Sequence, residues 1–372
     1  MTSQSPKVLH VVYDLMRGGT EGQCAHMAVA CRKAGCDHDV AVFSRSGYFL
    51  QMVEDVCGPV YEMAVRRMLS FQTLREIWRL RCHLRSGNYD LVHAWDMDAG
   101  IFGALAARLA GVPYVTSRRN LAERMPGYKR WLLRMADRGA AAVVVNAEAV
   151  GSRFISGGLA PEKVHHVHNM IDLQEFDRLA SQDARLPAGR IVGMVCRLEP
   201  EKDAGTLIKA VPHLLQEFTD LNVVIVGDGT DRQRLVHLAR ALHVEHAVHF
   251  MGERMDVPAL ARKFHVGVLA PSRNEGLSNA ILEYMAAGIP VVATDCGGNA
   301  EVLGNGSAGI IVPVGDAMAL AEAISFLLKD DRRAKEIGDR GRQRVTQYFS
   351  PERAVEEMNK VYESAATCGR RK

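Results

Sequence analysis

Thirteen consecutive residues, Pro271-Ser272-Arg273-Asn274-Glu275-Gly276-Leu277-Ser278-Asn279-Ala280-Ile281-Leu282-Glu283, combine two carboxylates with a helix start. Glu275 sits in a polar loop after an apolar run. Ser278 can cap a helix that passes through Glu283 and stops at Gly288. The backbone N–H groups of Ser278, Asn279 and Ala280 then point outward at a positive helix end, where an anion binds readily. Carboxylates beside such an anion can accept hydrogen bonds from neutral hydroxyls, as on a ribose or a hexose. Either glutamate alone also fits a helix-start acid or a solvated face. Upstream, Arg197 and Lys202 bracket a loop straight after the apolar run Ile191 to Val195. Two cations at the carboxyl end of a strand can neutralise a diphosphate leaving group, and arginine adds bidentate geometry. Gly227-Asp228-Gly229 follows another such run and forms a tight turn that lets backbone approach a ring or a phosphate. Gly18-Gly19 follow the first run, with Thr20 as helix cap and Gln23 in the reciprocal position.

Positioning these groups requires a particular kind of scaffold. Short β-branched runs alternate with longer helical stretches, first at Lys7 to Tyr13, Asp39 to Phe43, Leu91 to Ala94, Tyr114 to Ser117, Ala142 to Asn146 and Lys163 to His168. The pattern loosens between Asp172 and Gly189, where a domain boundary is expected. It restarts at Arg190 to Cys196, Asn222 to Val226, Val248 to Met251, Val266 to Ala270, Val291 to Thr294 and Gly309 to Val312. That rhythm predicts two α/β domains, each a doubly wound parallel sheet whose ligands bind beyond the carboxyl ends of the strands. Ser350-Pro351-Glu352 opens a last helix to about Tyr362.

The 372 residues suit two domains, and 48% apolar with 24% charged residues is the composition of a folded globular chain. Uncharged apolar stretches such as Ala140 to Val145 are far shorter than the roughly 18 residues that span a bilayer. The polar residues Met1 to Lys7 lack the pattern of a signal peptide, so the expected location is the cytoplasm. Eight cysteines show no C-x-x-C and no pairing rhythm, which favours reduced thiols over disulfides or a zinc site. Net charge is +3, yet Val60 to Ala140 holds fourteen basic against seven acidic residues, including Arg66-Arg67, Arg118-Arg119 and Lys129-Arg130. Such a segment suits an anionic partner or is solvated helix surface. It has no aromatic ladder of a nucleic-acid module, and no nucleic-acid partner is expected.

Taken together, these residues resemble the retaining glycosyltransferases of family 4, which have the GT-B fold of two Rossmann-like domains facing each other across a cleft. The resemblance runs in order through Arg197-Leu198-x-x-x-Lys202, Gly227-Asp228-Gly229, Phe250-Met251-Gly252, Glu275 to Glu283, Glu283-Tyr284-Met285-Ala286-Ala287-Gly288-Ile289-Pro290 and Gly297-Gly298-x-x-Glu301. It is thinner in the first half, carried by Gly18-Gly19-x-Glu21, His93 and Asn146-Ala147-Glu148. It implies an acceptor-side domain over 1–172, a donor-side domain over 188–349, and a helix in 350–372 that packs back on the first. It further implies that Arg197 and Lys202 hold the donor diphosphate, that Glu283 meets the ribose and that Glu275 touches the transferred sugar. Gly227, Asp228, Gly229, Gly276, Leu277, Ser278 and Asn279 complete the donor site, and Gly18 and Gly19 approach the diphosphate from the other domain. The donor implied by the resemblance is a nucleoside diphosphate sugar, with UDP-sugar expected over GDP-sugar, and the expected acceptor is a glycan or lipid-linked molecule. No metal or other cofactor is expected.

Departures from the family pattern fall mostly on the acceptor side. Where many relatives carry a histidine, this chain has Arg118-Arg119-Asn120, and a guanidinium binds an anion or a sugar hydroxyl rather than acting as a base. Asn169-Met170-Ile171-Asp172 stands where Asn-Gly-Ile-Asp is common. Asp96 and Asp98 either meet the acceptor or cap a helix starting near Ala99. His165, His166 and His168 lack a carboxylate to complete a metal set and read as strand surface. Gly127 to Arg138 forms a basic amphipathic helix that either lies on an anionic membrane surface or covers the sheet. Two rivals are a nonhydrolysing sugar-nucleotide epimerase and a non-catalytic nucleotide-sugar binder. A dinucleotide dehydrogenase fits worse, since Gly18-Gly19-x-x-Gly22 lacks the G-x-G-x-x-G spacing.

Overall fold

The computed structural model describes residues 5–65, 70–120 and 126–369; Arg66 and Arg67 of the basic segment lie outside them. In chain order the elements are β1 (Val8–Val12), α1 (Gly19–Lys33), β2 (His38–Val42), α2 (Leu50–Cys57), β3 (Tyr61–Glu62), α3 (Phe71–Ser86), β4 (Leu91–Ala94), α4 (Met97–Ala110), β5 (Tyr114–Arg118), α5 (Gly127–Gly139), β6 (Ala142–Val145), α6 (Glu148–Ser156) and β7 (Val164–His166). Then follow α7 (Leu173–Ala180), β8 (Arg190–Val195), α8 (Ala204–Leu215), β9 (Leu221–Val226), α9 (Arg232–Ala241), β10 (Val248–Phe250), α10 (Val257–Ala261), β11 (Val266–Leu269) and α11 (Asn279–Ala287). The last are β12 (Val291–Thr294), α12 (Asn299–Val302), β13 (Ile310–Val312), α13 (Ala317–Lys329), α14 (Asp331–Tyr348) and α15 (Pro351–Gly369). Every strand expected from the β-branched runs is present. Only the two-residue β3 has no counterpart among them, being too short to leave a pattern.

The described residues through Met170, with those from Pro351 onward, form one compact unit, and Ile171–Ser350 form the other. In the first, seven parallel strands run in the order β3-β2-β1-β4-β5-β6-β7; in the second, six run β10-β9-β8-β11-β12-β13. Alternation along the strands fills both faces of the first sheet. Val8, Val12, Val40, Val42 and Leu91 join one apolar cluster with α1 and α15, while Leu9, Val11, Ala41 and Val92 join another with α3 and α4. The polar stretch after Asp172 is not merely a linker. It holds α7, whose Phe176 and Ala180 pack on Ala286 of α11, and whose Asp177 bonds Arg342 at 2.6 Å. The expected Thr20–Gln23 cap also does not form: Gly18 occupies the cap position of α1, and the Gln23 amide exchanges bonds of 2.8 and 2.9 Å with the backbone of Met170.

On the α15 face of the first sheet, β1, β2 and β4 contribute the buried His10, His38 and His93. The indole of Trp95 can only donate, and it lies 2.8 Å from His10 Nδ1. His10 therefore carries its proton on Nε2 and donates to His38 Nδ1 at 2.9 Å. His93 bridges Ser117 Oγ (2.8 Å) and the hydroxyl of Tyr362 in α15 (2.7 Å), which ties the C-terminal helix to the first unit. Burial holds all three imidazoles below their ordinary range, His38 at about 4 with help from the nearby Arg32. An unfolded chain takes up these protons below about pH 6.5, while the folded chain does not until lower pH. Stability is thus full above pH 6.5 and falls as pH drops toward 4, His38 alone accounting for about 3 kcal/mol. Urea melts at pH 7 and pH 5 check this: the wild type loses stability at pH 5, and His38→Gln, which can accept from His10 but takes up no proton, shows a flatter pH dependence.

Candidate functional site

In the second unit, the loops leaving the carboxyl ends of β8, β9, β11 and β12 are tied to one another. The amide of Leu198 donates to Asp228 O (2.9 Å), that of Asp231 to Leu198 O (2.8 Å), that of Ser272 to Glu201 O (2.8 Å) and that of Gly298 to Gly276 O (2.9 Å). The Thr294 hydroxyl donates to Pro271 O at 2.7 Å. These bonds satisfy backbone groups that loops at a buried sheet edge would otherwise leave unpaired. Two glycines make the close approach possible. A Cβ on Gly227 (φ 128°) would lie 1.9 Å from Cys196 O, and one on Gly297 (φ 60°) 2.2 Å from Glu275 O.

This frame brings Arg197, Lys202, the Gly227-Asp228-Gly229 turn and the Glu275 loop to one edge of the sheet. Pro200–Lys202 form a single 3₁₀ turn that ends at Asp203, a non-glycine residue at φ 45° whose carboxylate accepts from Thr206 Oγ1 at 2.6 Å. Lys202 Nζ donates to Glu275 Oε2 at 2.5 Å. Glu275 is only 6% exposed, so this cation supplies the charge partner that a buried carboxylate needs. Arg197 remains exposed. Asp228 Oδ1 accepts from the Gly229 amide (2.8 Å), and its Oδ2 lies 3.5 Å from Arg232. Ser278 takes the cap position of α11, as its type predicts, although its hydroxyl makes no capping bond. Gly276, Leu277 and Ser278 are buried, while Asn279 and Glu283 are half-buried on α11. Burial pushes the neighbouring Cys196 thiol up to about 12, so it stays protonated and is no nucleophile at neutral pH.

Tyr284 is a positioning residue that the motif contains but its chemistry did not announce. Strands β8 and β11 pair only through Val192–Val266 and Gly193–Gly267. Beyond that point the fully buried Tyr284 hydroxyl accepts from the Val195 amide at 2.6 Å and donates to Val268 O at 3.4 Å. Its ring occupies the space over Gly267, where a Cβ would come within 2.6 Å. A tyrosine among the buried Ile281, Leu282 and Met285 was the available signal, because a buried hydroxyl needs a partner.

The first unit alters the acceptor-side expectations. Arg118 is 2% exposed and does not offer its guanidinium to a ligand. It is paired with Asp137 of α5 through Nη2 and Nε (the latter at 3.2 Å), and its Nη1 donates to Ser117 O. Thr116 Oγ1 donates to the same carboxylate at 2.9 Å. Arg118 is thus a strut between β5 and α5. Arg119 stacks on Trp95 at 4.6 Å and donates to Asn169 Oδ1, and burial pulls its pKa down to about 10. Asp96 caps α4, accepting from Ala99 N (2.7 Å) and Tyr13 N (2.6 Å); burial nevertheless raises its carboxyl to about 6. Asp98 pairs with Lys129 at 2.8 Å. Gly18 and Gly19 open α1 just after β1. In α5, Leu133 and Ala136 pack inward while Tyr128, Trp131 and Met135 stay exposed, so the helix covers the sheet and still presents an apolar face to solvent. Among the described residues no group of three or more His, Cys, Asp or Glu side chains is arranged to hold a metal.

Replacing Tyr284 by Phe removes the partner of the half-buried Val195 amide and is expected to cost about 1–3 kcal/mol. Denaturant melts measure that loss; an unchanged midpoint would show that the hydroxyl does not clamp β8 to β11.

Residues 178–344 match the family profile described as Glycosyl transferases group 1, and residues 17–175 the one described as Glycosyltransferase Family 4. The chain is 32% identical over 318 residues to the D-inositol 3-phosphate glycosyltransferase of Salinispora tropica, covering 75% of this chain but only 65% of that protein. It is 31% identical over 304 residues to the phosphatidyl-myo-inositol mannosyltransferase of Mycobacterium leprae, covering 78% of each. Among solved structures, Anabaena HepE in complex with UDP and glucose aligns with a TM-score of 0.83 at 24% identity, over 96% of this chain and 100% of that one. That likeness shows the shared GT-B fold, two α/β domains built on parallel sheets. With the two profiles lying one on each half of the chain, the protein belongs to the group 1 glycosyltransferases, in family 4.

Proposed function

We propose that this glycosyltransferase works with retention, moving a hexose or N-acetylhexosamine from a nucleoside diphosphate sugar to a glycan or lipid-linked acceptor in polysaccharide or glycolipid biosynthesis. The observation that carries the reading is the ion pair of Lys202 and Glu275, 2.5 Å apart beside the amino end of α11. A diphosphate entering here offers Lys202 a stronger partner than a carboxylate, and Arg197 and the α11 amides share its charge. Glu275, released from the lysine, then accepts hydrogen bonds from hydroxyls of the attached sugar, while Glu283 receives the ribose. The acceptor oxygen attacks C1 on the face from which the diphosphate departs. As the bond from C1 to the phosphate oxygen breaks, its electron pair stays on that oxygen, which takes the acceptor's proton. The two cations stabilise the charge that develops on the leaving group. No metal enters this scheme.

The UDP bound in the Anabaena structure supports UDP-sugar over GDP-sugar as donor. The two relatives named for inositol phosphate and phosphatidyl-myo-inositol support a phosphorylated or lipid-linked acceptor. No helix among the described residues is long and apolar enough to cross a membrane. The exposed Tyr128, Trp131 and Met135 of α5, beside basic residues, support peripheral contact with an anionic membrane surface on its cytoplasmic side.

Calorimetry with UDP and a transfer assay test the proposed roles. Lys202→Ala should weaken UDP binding about 10- to 100-fold, the worth of a charge-assisted bond. Glu275→Gln, which no longer competes for Lys202, should bind UDP at least as tightly as the wild type yet lose about 100-fold or more in turnover. Wild-type turnover in both variants, or a product of inverted anomeric configuration by proton NMR, would overturn the reading.

A further inference from the structure

A basic feature of the first unit has no part in the chemistry above. A cavity of about 160 Å³ lies between α5 and α6, lined by Arg130, Arg134, Arg138 and Arg153 over Leu133 and Phe154. The one carboxylate on its wall, Asp137, is already engaged by Arg118 and Thr116. Arg138 and Arg153 stand in the last turns of α5 and α6, where a cation complements the helix dipole, but that role is not open to Arg134, one turn further in. Arg130, Arg134 and Arg138 recur every four residues, a row of like charges that opposes helix formation. The carbonyls at the end of α5 are met by another residue: Lys163 Nζ donates to Arg138 O at 2.6 Å and to Ala140 O at 2.9 Å. Lys129 on the same helix finds its acid in Asp98, whereas the side chains of Arg134, Arg138 and Arg153 make no hydrogen bond or ion pair among the described residues.

Most of the lining belongs to the C-terminal halves of α5 and α6 and to Gly157, Gly158 and Leu159 just after α6, on the side that leads into the amino ends of β6 and β7. The cavity is therefore separate from the carboxyl edge of the sheet, where Gly18, Gly19 and Asp96 lie. Its volume equals about five water molecules, room for a tetrahedral oxyanion. Guanidinium forks match such an anion in shape and charge. We infer that this cavity is a phosphate-binding site in which Arg134, Arg138 and Arg153 hold one phosphate group, either of a soluble phosphate or of an anionic lipid headgroup. The exposed Tyr128, Trp131 and Met135 on the adjoining stripe of α5 are compatible with either source.

The test uses the full chain saturated with UDP, so that the donor site is already filled. Inorganic phosphate is added at constant ionic strength against chloride, and melting is followed for the wild type and for Arg134→Gln/Arg153→Gln. Phosphate at tenfold excess over its Kd should raise the wild-type melting temperature by about 3 °C. The double variant should lose that rise while keeping its response to UDP, which shows that it is folded and separates the effect from general stabilisation by phosphate. A second arm measures sedimentation with phosphatidylcholine vesicles containing phosphatidylglycerol. A variant-sensitive phosphate response identifies a soluble ligand, and variant-sensitive sedimentation without a phosphate response identifies a headgroup; either supports the site. Absence of both, or responses equal in wild type and double variant, overturns it.

Discussion

A carboxylate buried at the edge of a parallel sheet is costly unless a cation meets it, and in the second unit Lys202 is that cation for Glu275. The surrounding structure serves to keep the two within reach. Lys202 is presented by a single 3₁₀ turn, closed by a left-handed Asp203. Glu275 follows Asn274, another non-glycine residue in the left-handed region at φ 57°, and rests against Gly297, where no side chain fits. Such conformations persist only where neighbours over-determine them, and the bonds among the four loops do so. Tyr284 extends the frame inward by clamping β8 to β11 just below the site. An ion pair held this way keeps both side chains at the edge of the sheet, where the donor of the proposed reaction would meet them.

The two units meet the demands of buried polar groups differently. In the second, polar atoms gather at the carboxyl edge of the sheet. In the first, a chain of imidazoles and an indole runs through the core itself, and Tyr362 of the last helix joins it. Such a network specifies one docking of α15, because a shifted helix would strand the hydroxyl of Tyr362 and the ring of His93. Arg118 and Asp137 follow the same logic at the end of β5, where a buried ion pair fixes α5 against the sheet.

Much of this was legible in the sequence, for identifiable reasons. Strands buried on both faces must be continuous β-branched runs, so β1, β4 or β12 could be placed almost to the residue. Ser278, Gly288 and Pro290 mark the limits of α11 by local backbone chemistry alone. The pairing of Lys202 with Glu275 joins residues 73 apart and depends on tertiary packing, which no local pattern encodes. The same holds for Arg118: its type suggested an anion, and only the fold shows Asp137 beneath it. Helix α7 was obscured because its apolar face is narrow, Phe176 and Ala180 within a polar stretch. His10, His38 and His93 lie on separate strands, and their shared face emerges only from the strand order β2-β1-β4.

The most direct test of the account is a crystal structure of the chain with an intact nucleoside diphosphate sugar. The expected result has Lys202 Nζ transferred from Glu275 to a phosphate oxygen, with the Glu275 carboxylate hydrogen-bonded to the sugar. A diphosphate bound elsewhere while Lys202 still holds Glu275 would contradict it.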